Sequence, residues 1–150
     1  MRRWRVEKPA TESEQDSALA YLLLRVTIGT NICIHGISRI LSGPGVFAHS
    51  VEALFRKTLL PGWSVLAFGW VLPWLEAIVG LLVLVGLRTR PALMAGALLL
   101  IVLTFGSTLR QDWEIAGLQL VYASVYAALL AFRNRNVYSL DALLNASRGE

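Results

Sequence analysis

Four ionisable side chains lie within two of the apolar stretches of this 150-residue sequence. Arg25, His35 and Arg39 occur in the first stretch, and Glu76 occurs in the second. A charge deep in a membrane costs several kcal/mol unless it is paired, neutralised or hydrated, so each of these residues is a hypothesis about function. An acid and basic groups in such surroundings can exchange protons or donate hydrogen bonds to a bound molecule.

The spacing of these residues predicts which of them meet. At about 100° per residue, Arg25, His35 and Arg39 fall within one broad sector of a helix. Counting about 1.5 Å per residue places Arg25 about 6 Å and His35 about 9 Å from the level of Glu76, on opposite sides. We therefore expect Arg25 to pair with Glu76. The pair is either a structural link between helices or a site where Glu76 accepts protons.

Other polar residues are candidates for the same interior. Gln119, Tyr122 and Tyr126 follow one another at three- and four-residue spacing, which places them on one helix face, either as packing groups or as lining of a site. His49 is the other histidine, and no spacing of Cys, His and carboxylates predicts a metal site. Cys33 is the single cysteine, so neither an internal disulfide nor a dithiol relay is predicted.

The elements that carry these residues are predicted to cross a membrane. Hydrophobic residues make up 55% of the chain, charged residues 16%, and the mean hydropathy is +0.57, which is too apolar for an ordinary soluble domain. A helix of about 20 apolar residues spans the hydrocarbon of a bilayer. The sequence therefore predicts an all-α fold, an integral membrane four-helix bundle with spans near 18–40, 64–87, 91–109 and 115–132.

The first loop differs from the others because it has a helical pattern of its own. Residues 46–59 place Phe47, Val51 and Phe55 on one stripe, and Gly- and Pro-containing segments flank them. This pattern predicts a short amphipathic helix that lies in the membrane interface. Such a helix either covers the bundle or acts as a lid over a site.

The basic residues predict an orientation. The two tails and the second loop hold nine Lys and Arg, whereas the first and third loops hold four. The positive-inside rule then places both termini in the cytoplasm of a multi-pass protein of a bacterial-type inner membrane. We divide the chain into an N-terminal tail (1–17), a membrane domain (18–132) and a C-terminal tail (133–150). The charges flank apolar stretches, so lipid headgroups rather than nucleic acid are the expected contact.

Three segments of the sequence resemble the DoxX-like membrane proteins, which are related to the DoxD small subunit of thiosulfate:quinone oxidoreductase. They are "LLLRVTIGTNICIHGISRI", "LLPGW" and "WLEAIVGLLVLVGLRTRPA". The resemblance covers about residues 19–132, and Arg39 stands where that family usually has lysine. It implies a membrane subunit linked to quinone-dependent oxidation of sulfur compounds or thiols.

The resemblance also implies roles for individual residues. Glu76 and His35 would be the catalytic groups. The quinone would be bound by Arg25, Arg39 and His35, and the spacing of Gln119 and Tyr122 on one helix face adds these two residues as candidates for the same binding site. Because no flavin, haem or iron–sulfur motif is present, electrons would come from a partner subunit or from a substrate, and a homo-oligomer is an alternative association. Whether the chain is an enzyme stays open, since a non-catalytic anchor or assembly subunit of a redox complex is the second interpretation.

Overall fold

The computed structural model describes residues 11–147, and within that range the regular secondary structure is all helical, with no strand. The α-helices are α1 (Glu12–Leu41), α2 (Pro44–Phe55), α3 (Gly62–Val85), α4 (Thr89–Leu109), α5 (Trp113–Ala131) and α6 (Leu140–Ser147), and a 3-10 turn at Arg133–Arg135 follows α5. Four of them, α1, α3, α4 and α5, are long and apolar enough to cross a membrane. The predicted all-α membrane bundle is thus confirmed. Five basic residues used to predict the orientation lie outside the described range: Arg2, Arg3, Arg5, Lys8 and Arg148.

The first helix begins earlier than its hydropathy predicts. Thr11 accepts a hydrogen bond from the Glu14 backbone N–H at 3.4 Å, and the Glu14 carboxylate accepts one from the Thr11 N–H at 3.0 Å. This capping box satisfies two backbone donors at the helix start. Hydropathy indicates where a helix enters hydrocarbon, not where its hydrogen bonds begin. The polar first turns of α1 therefore extend beyond the apolar stretch.

The four spans form a ring. α1 packs chiefly on α3 and α4 chiefly on α5, while contacts of α3 with α4 and of α1 with α5 close the ring. Buried Val83, Leu93, Tyr126 and Leu129 form the centre of the core. We call the end at which α2 lies the α2 end, and the end at which α1 begins and α5 finishes the tail end.

The α1–α3 contact is unusually close because glycines face the backbone of the opposite helix. Three facing pairs define it: Gly29 with Leu84, Cys33 with Gly80, and Gly36 with Ala77. The residue numbers in each pair add up to 113, so the helices are antiparallel with one continuous register. A Cβ on Gly29 would lie 2.6 Å from the Leu84 nitrogen, which no side chain tolerates. Small residues at these positions let the two backbones approach each other.

The short helix predicted in the first loop is present as α2. It begins at Pro44, directly after Gly43, whose φ of +97° favours glycine. Ala48 is fully buried, and a Cβ on Gly69 of α3 would lie 2.8 Å from the Ala48 Cα. α2 therefore lies tightly against the first turns of α3, and the chain between Phe55 and α3 is not helical.

The segment after α5 folds back onto the α3–α4 connection. The Asp141 carboxylate accepts hydrogen bonds from the backbone N–H groups of Arg88 and Thr89, both at 2.7 Å, and Asn136 donates to the Thr89 hydroxyl at 2.9 Å. Partial burial raises the pKa of Asp141, but the hydrogen bonds from Thr89 and Arg88 outweigh burial and lower the pKa overall. Asp141 thus satisfies orphan N–H groups at the start of α4 from a distant part of the chain.

Candidate functional site

A cavity of about 410 Å³ lies beneath α2, among α3, α4 and α5. Aromatic and aliphatic side chains form most of its wall, including Phe47, Phe55 and Phe68. The polar residues at the wall are Ser64, Ser107, Gln119, Arg39 and Arg110. An apolar cavity with a few converging polar groups is typical of a small-molecule site.

Arg39 reaches the cavity from the end of α1 and forms an ion pair with Glu76 in the middle of α3. Glu76 is 4% exposed, whereas 27% of the Arg39 side chain is exposed. In the α1–α3 register, Glu76 lies opposite position 37, and side chains on a helix point back toward its N-terminus. Arg39 therefore extends back along α1 to the level of Glu76. Glu76 itself does not line the cavity but stands behind the arginine.

Arg25 does not contact Glu76, so the predicted pair is wrong. The register places Arg25 about 12 residues, or about 18 Å, from the level of Glu76. Its guanidinium donates instead to the carbonyl oxygens of Val83, Leu84 and Tyr138, each at 2.7 Å. The first two carbonyls belong to the C-terminal turn of α3, where the helix dipole favours a cation. Arg25 thus joins α1, α3 and the C-terminal segment at the tail end.

Two further predicted residues do not reach the cavity. His35 is exposed on the outer side of α1, although it is close to the level of Glu76. Around the axis of α1, His35 lies at the edge of the sector that also contains Arg25 and Arg39. The close packing of α1 on α3 turns this edge of the helix away from the bundle. Tyr122 is half-buried and packs against the hydrophobic core. Among the predicted site residues, the structure brings together Arg39, Glu76 and Gln119.

Arg110, which directly follows α4, has an environment similar to that of Arg39. Its Nη2 donates to the Asp112 carboxylate at 2.8 Å, and its guanidinium lies 5.5 Å from the centre of the Phe55 ring. The Arg39 guanidinium lies 4.6 Å from the Phe47 ring. Each arginine therefore has one carboxylate and one aromatic ring from α2. The two cation–π contacts hold α2 over the cavity.

The role of Arg110 was not predicted from the sequence, where this residue contributed only to the orientation. The apolar stripe of residues 46–59 contained the relevant signal, because it placed Phe47 and Phe55 on one face of α2. Which cations these rings would meet depends on how the ends of α1 and α4 pack. The stripe alone could not show that.

Gln119 contributes a polar group that lacks a partner. Its Oε1 is buried and makes no hydrogen bond to any residue in the range 11–147. Leaving a buried acceptor unpaired costs about 1–3 kcal/mol. Arg39 and Arg110 are each neutralised by their own carboxylate. The cavity wall thus favours an uncharged ligand that carries hydrogen-bonding groups.

The part of the chain that the structure describes contains no group of three or more His, Cys, Asp or Glu residues that could hold a metal ion. The thiol of Cys33 is buried in the α1–α3 contact. The polar groups at the cavity are therefore guanidinium, carboxamide and hydroxyl groups. Their chemistry is hydrogen bonding to a bound molecule.

Comparison with known families identifies a match over most of the membrane domain. The model of the family described as "Methylamine utilisation protein MauE" matches residues 17–114, well over half of the chain. The chain belongs to the MauE family. The matched range includes Arg39, Glu76 and Arg110. No curated protein matches the chain, and no solved structure does.

Membership of the MauE family overturns the predicted DoxX-like assignment, because MauE is a different family of membrane proteins. The oxidation of sulfur compounds or thiols that the earlier resemblance implied loses its basis as well. The pattern of glycines around a basic and an acidic residue has a physical explanation. Glycines allow two membrane helices to pack closely, and opposite charges pair between them, so the pattern is not specific to one family.

Proposed function

We propose that this MauE-family membrane protein is a redox-associated subunit that binds a neutral, lipid-soluble quinone in the cavity beneath α2. The family's description suggests that the redox system is one of methylamine utilisation. One observation supports the proposal: Arg39, paired with Glu76, lines an apolar cavity whose wall also includes Gln119, and the buried Oε1 of Gln119 has no hydrogen-bond partner among the described residues.

The residues at the cavity fit a quinone. Phe47, Phe55 and Phe68 provide aromatic walls for a flat ring. The guanidinium groups of Arg39 and Arg110 are permanent hydrogen-bond donors, which suits carbonyl oxygens. Gln119 can accept a hydrogen bond from a quinol hydroxyl. When bound, a quinone supplies two-electron and two-proton chemistry.

In this proposal Glu76 is a positioning residue. Its carboxylate keeps the Arg39 guanidinium at one place on the cavity wall and offsets its charge, so that the wall stays neutral. His35 has no part in the site because it lies on the outside of the bundle. Electrons come from a partner subunit, since the chain has no flavin, haem or iron–sulfur motif of its own. Membrane lipid provides the route by which an apolar ligand arrives.

The test is equilibrium binding of a short-chain benzoquinone to the purified protein in lipid nanodiscs, followed by tryptophan fluorescence. We expect Arg39→Gln and Gln119→Leu each to raise the Kd about tenfold, the effect of losing one good hydrogen bond. Arg56→Gln is the matched control, because Arg56 is exposed after α2 and does not line the cavity. It should leave the Kd unchanged.

A third variant separates positioning from direct contact. Because Glu76 acts through Arg39, Glu76→Gln should weaken binding, and the double variant with Arg39→Gln should be no weaker than Arg39→Gln alone. Equal Kd values for Arg39→Gln and Arg56→Gln would refute the proposal. A protein that folds normally but binds no quinone would instead favour a non-catalytic anchor or assembly subunit.

A further inference from the structure

The segment that follows α5 ends in a short amphipathic helix, α6. At about 100° per residue, Leu140, Leu143 and Leu144 fall within an arc of about 100° on its surface. We call these three residues the leucine stripe. Their exposed fractions are 40%, 67% and 46%. Contiguous large apolar side chains that the chain itself leaves exposed mark an interaction surface.

Hydrogen bonds fix the depth at which α6 begins. The Asp141 backbone N–H donates to the Gly86 carbonyl at 3.0 Å, and the Asp141 carboxylate accepts from the N–H groups of Arg88 and Thr89. This connection joins α3 to α4, which are both long and apolar enough to cross a membrane. It therefore lies where two spans reach the surface of the bilayer. α6 begins at the same level.

The two faces of α6 have different surroundings. Asp141, which points to the α3–α4 connection, lies about 110° around the helix axis from the centre of the leucine stripe. Asn145 lies about 150° from that centre and is exposed. All of residues 143–147 are exposed, so α6 extends away from the bundle after its first turn. An apolar face opposite a polar one is the pattern of a helix that lies between hydrocarbon and water.

The neighbouring residues complement the headgroup region of a bilayer. Tyr138 is 50% exposed and Phe132 is 63% exposed, and aromatic side chains favour the boundary between lipid and water. Arg90 and Arg133 are exposed at the same end of the bundle and carry the charge opposite to that of lipid phosphates. The exposed acids of α1 lie in its first turns, which extend beyond the apolar stretch.

We propose that α6 is a membrane-surface anchor that lies in the headgroup region, with the leucine stripe in contact with lipid acyl chains and Asn145 facing water. Part of the predicted C-terminal tail is then bound to the membrane. The anchor also keeps Tyr138, whose carbonyl accepts a hydrogen bond from buried Arg25, at the end of the bundle. It is separate from the cavity beneath α2 and does not depend on quinone binding.

Spin labelling of the protein in lipid vesicles tests which face of α6 meets hydrocarbon. In a Cys33→Ala background, which removes the single thiol of the chain, Leu143→Cys and Asn145→Cys carry the label on opposite faces. Oxygen concentrates in hydrocarbon and a nickel chelate stays in water, so the ratio of their collision rates with the label reports its depth. We expect this ratio to be severalfold larger at position 143 than at position 145.

Two results would overturn the proposal. Free access of the nickel chelate to both labels would place α6 in water. Protection of the label at position 143 from both oxygen and the chelate would show that another protein surface, rather than lipid, covers the leucine stripe.

A second experiment tests whether the leucines themselves hold α6 at this depth. The label is placed at Leu140→Cys, and Leu143→Ser is combined with Leu144→Ser, two substitutions at exposed positions. The oxygen-to-chelate ratio at position 140 should fall severalfold, because the stripe no longer favours hydrocarbon. Asn145→Ser combined with Ala146→Ser is the matched control and should leave the ratio unchanged. A ratio that stays the same in the leucine variant would contradict the proposal.

Discussion

Two arginines of α1 are stabilised in different ways, and the difference separates a structural group from a ligand-facing one. Arg39 pairs with a carboxylate and remains partly exposed at the cavity. Arg25 is 2% exposed, forms no ion pair with a carboxylate among residues 11–147, and donates to three backbone carbonyls. Both terminal nitrogens of this buried guanidinium are held by helix-end and loop carbonyls, and the remaining donor, Nε, is buried away from the cavity. We therefore assign Arg25 to stability.

We expect Arg25→Met to lower the free energy of unfolding by about 2–4 kcal/mol, because charge-assisted hydrogen bonds to buried carbonyls are lost. The measurement is unfolding of the detergent-solubilised protein, followed by circular dichroism. Arg90→Met is the control, since Arg90 is exposed at the start of α4 and should unfold like the wild type. Equal stability of the two variants would argue against the structural role of Arg25.

Among the elements, the α1–α3 pair sets the geometry of the site. Its glycines bring two backbones together in one register, and that register determines which side chain on α1 meets Glu76. The position of α2 depends on α3 in the same way, through Gly69 and Ala48, and the Phe–Arg contacts then hold its cavity side.

Substituting two helical glycines by alanine should separate packing from helix propensity. A Cβ at Gly80 would meet the Cys33 backbone, whereas Gly117 has nothing within 4 Å. We expect Gly80→Ala to destabilise the bundle by about 1–3 kcal/mol through overpacking. Gly117→Ala should leave stability unchanged or raise it by up to about 1 kcal/mol, since alanine favours a helix. Thermal unfolding in detergent measures both, and a neutral Gly80→Ala would refute the close contact.

At the scale of the whole molecule, the described residues alone do not favour either orientation. The tail end has Arg88, Arg90, Arg133 and Arg135, and the α2 end has Arg39, Arg56, Lys57 and Arg110, so each end has four basic residues near its boundary. The predicted excess on the cytoplasmic side therefore depends on residues 1–10 and 148–150. With these included, we propose that the tail end faces the cytoplasm.

Thiol accessibility in intact cells tests this orientation. In the Cys33→Ala background, Ser50→Cys places a thiol on exposed α2 and Asn145→Cys places one on exposed α6. A membrane-impermeant maleimide should label Ser50→Cys directly and Asn145→Cys only after permeabilisation, because the two positions lie at opposite ends of the bundle. The reverse labelling pattern would show that the termini are on the outer side.

Much of the fold could be predicted, because the number of membrane-spanning helices depends on the hydropathy of local stretches of sequence. The four spans and the short helix of the first loop were correct, although α1 begins at Glu12 because its capping box lies before the apolar stretch. The site was predicted less well. Arg39, Glu76 and Gln119 were predicted to share an interior and do lie together, whereas Arg25, His35 and Tyr122 lie away from the cavity, and the position of Arg110 at the cavity was not predicted. The periodicity of a helical sequence predicts only a broad range of directions in which a given side chain can point.

The amino-acid sequence by itself determined that this chain crosses a membrane four times and that a few polar groups must be sheltered from lipid. The physical reason is that the free energy of transferring a helix into hydrocarbon is approximately a sum over its residues. Only the tertiary structure decided that Glu76 meets Arg39 rather than Arg25. That choice depends on the axial register of two helices, which the close contacts of Gly29, Gly36 and Gly80 determine together. A shift by a single turn, about 5.4 Å, would change every partner, and no local pattern encodes such a distance.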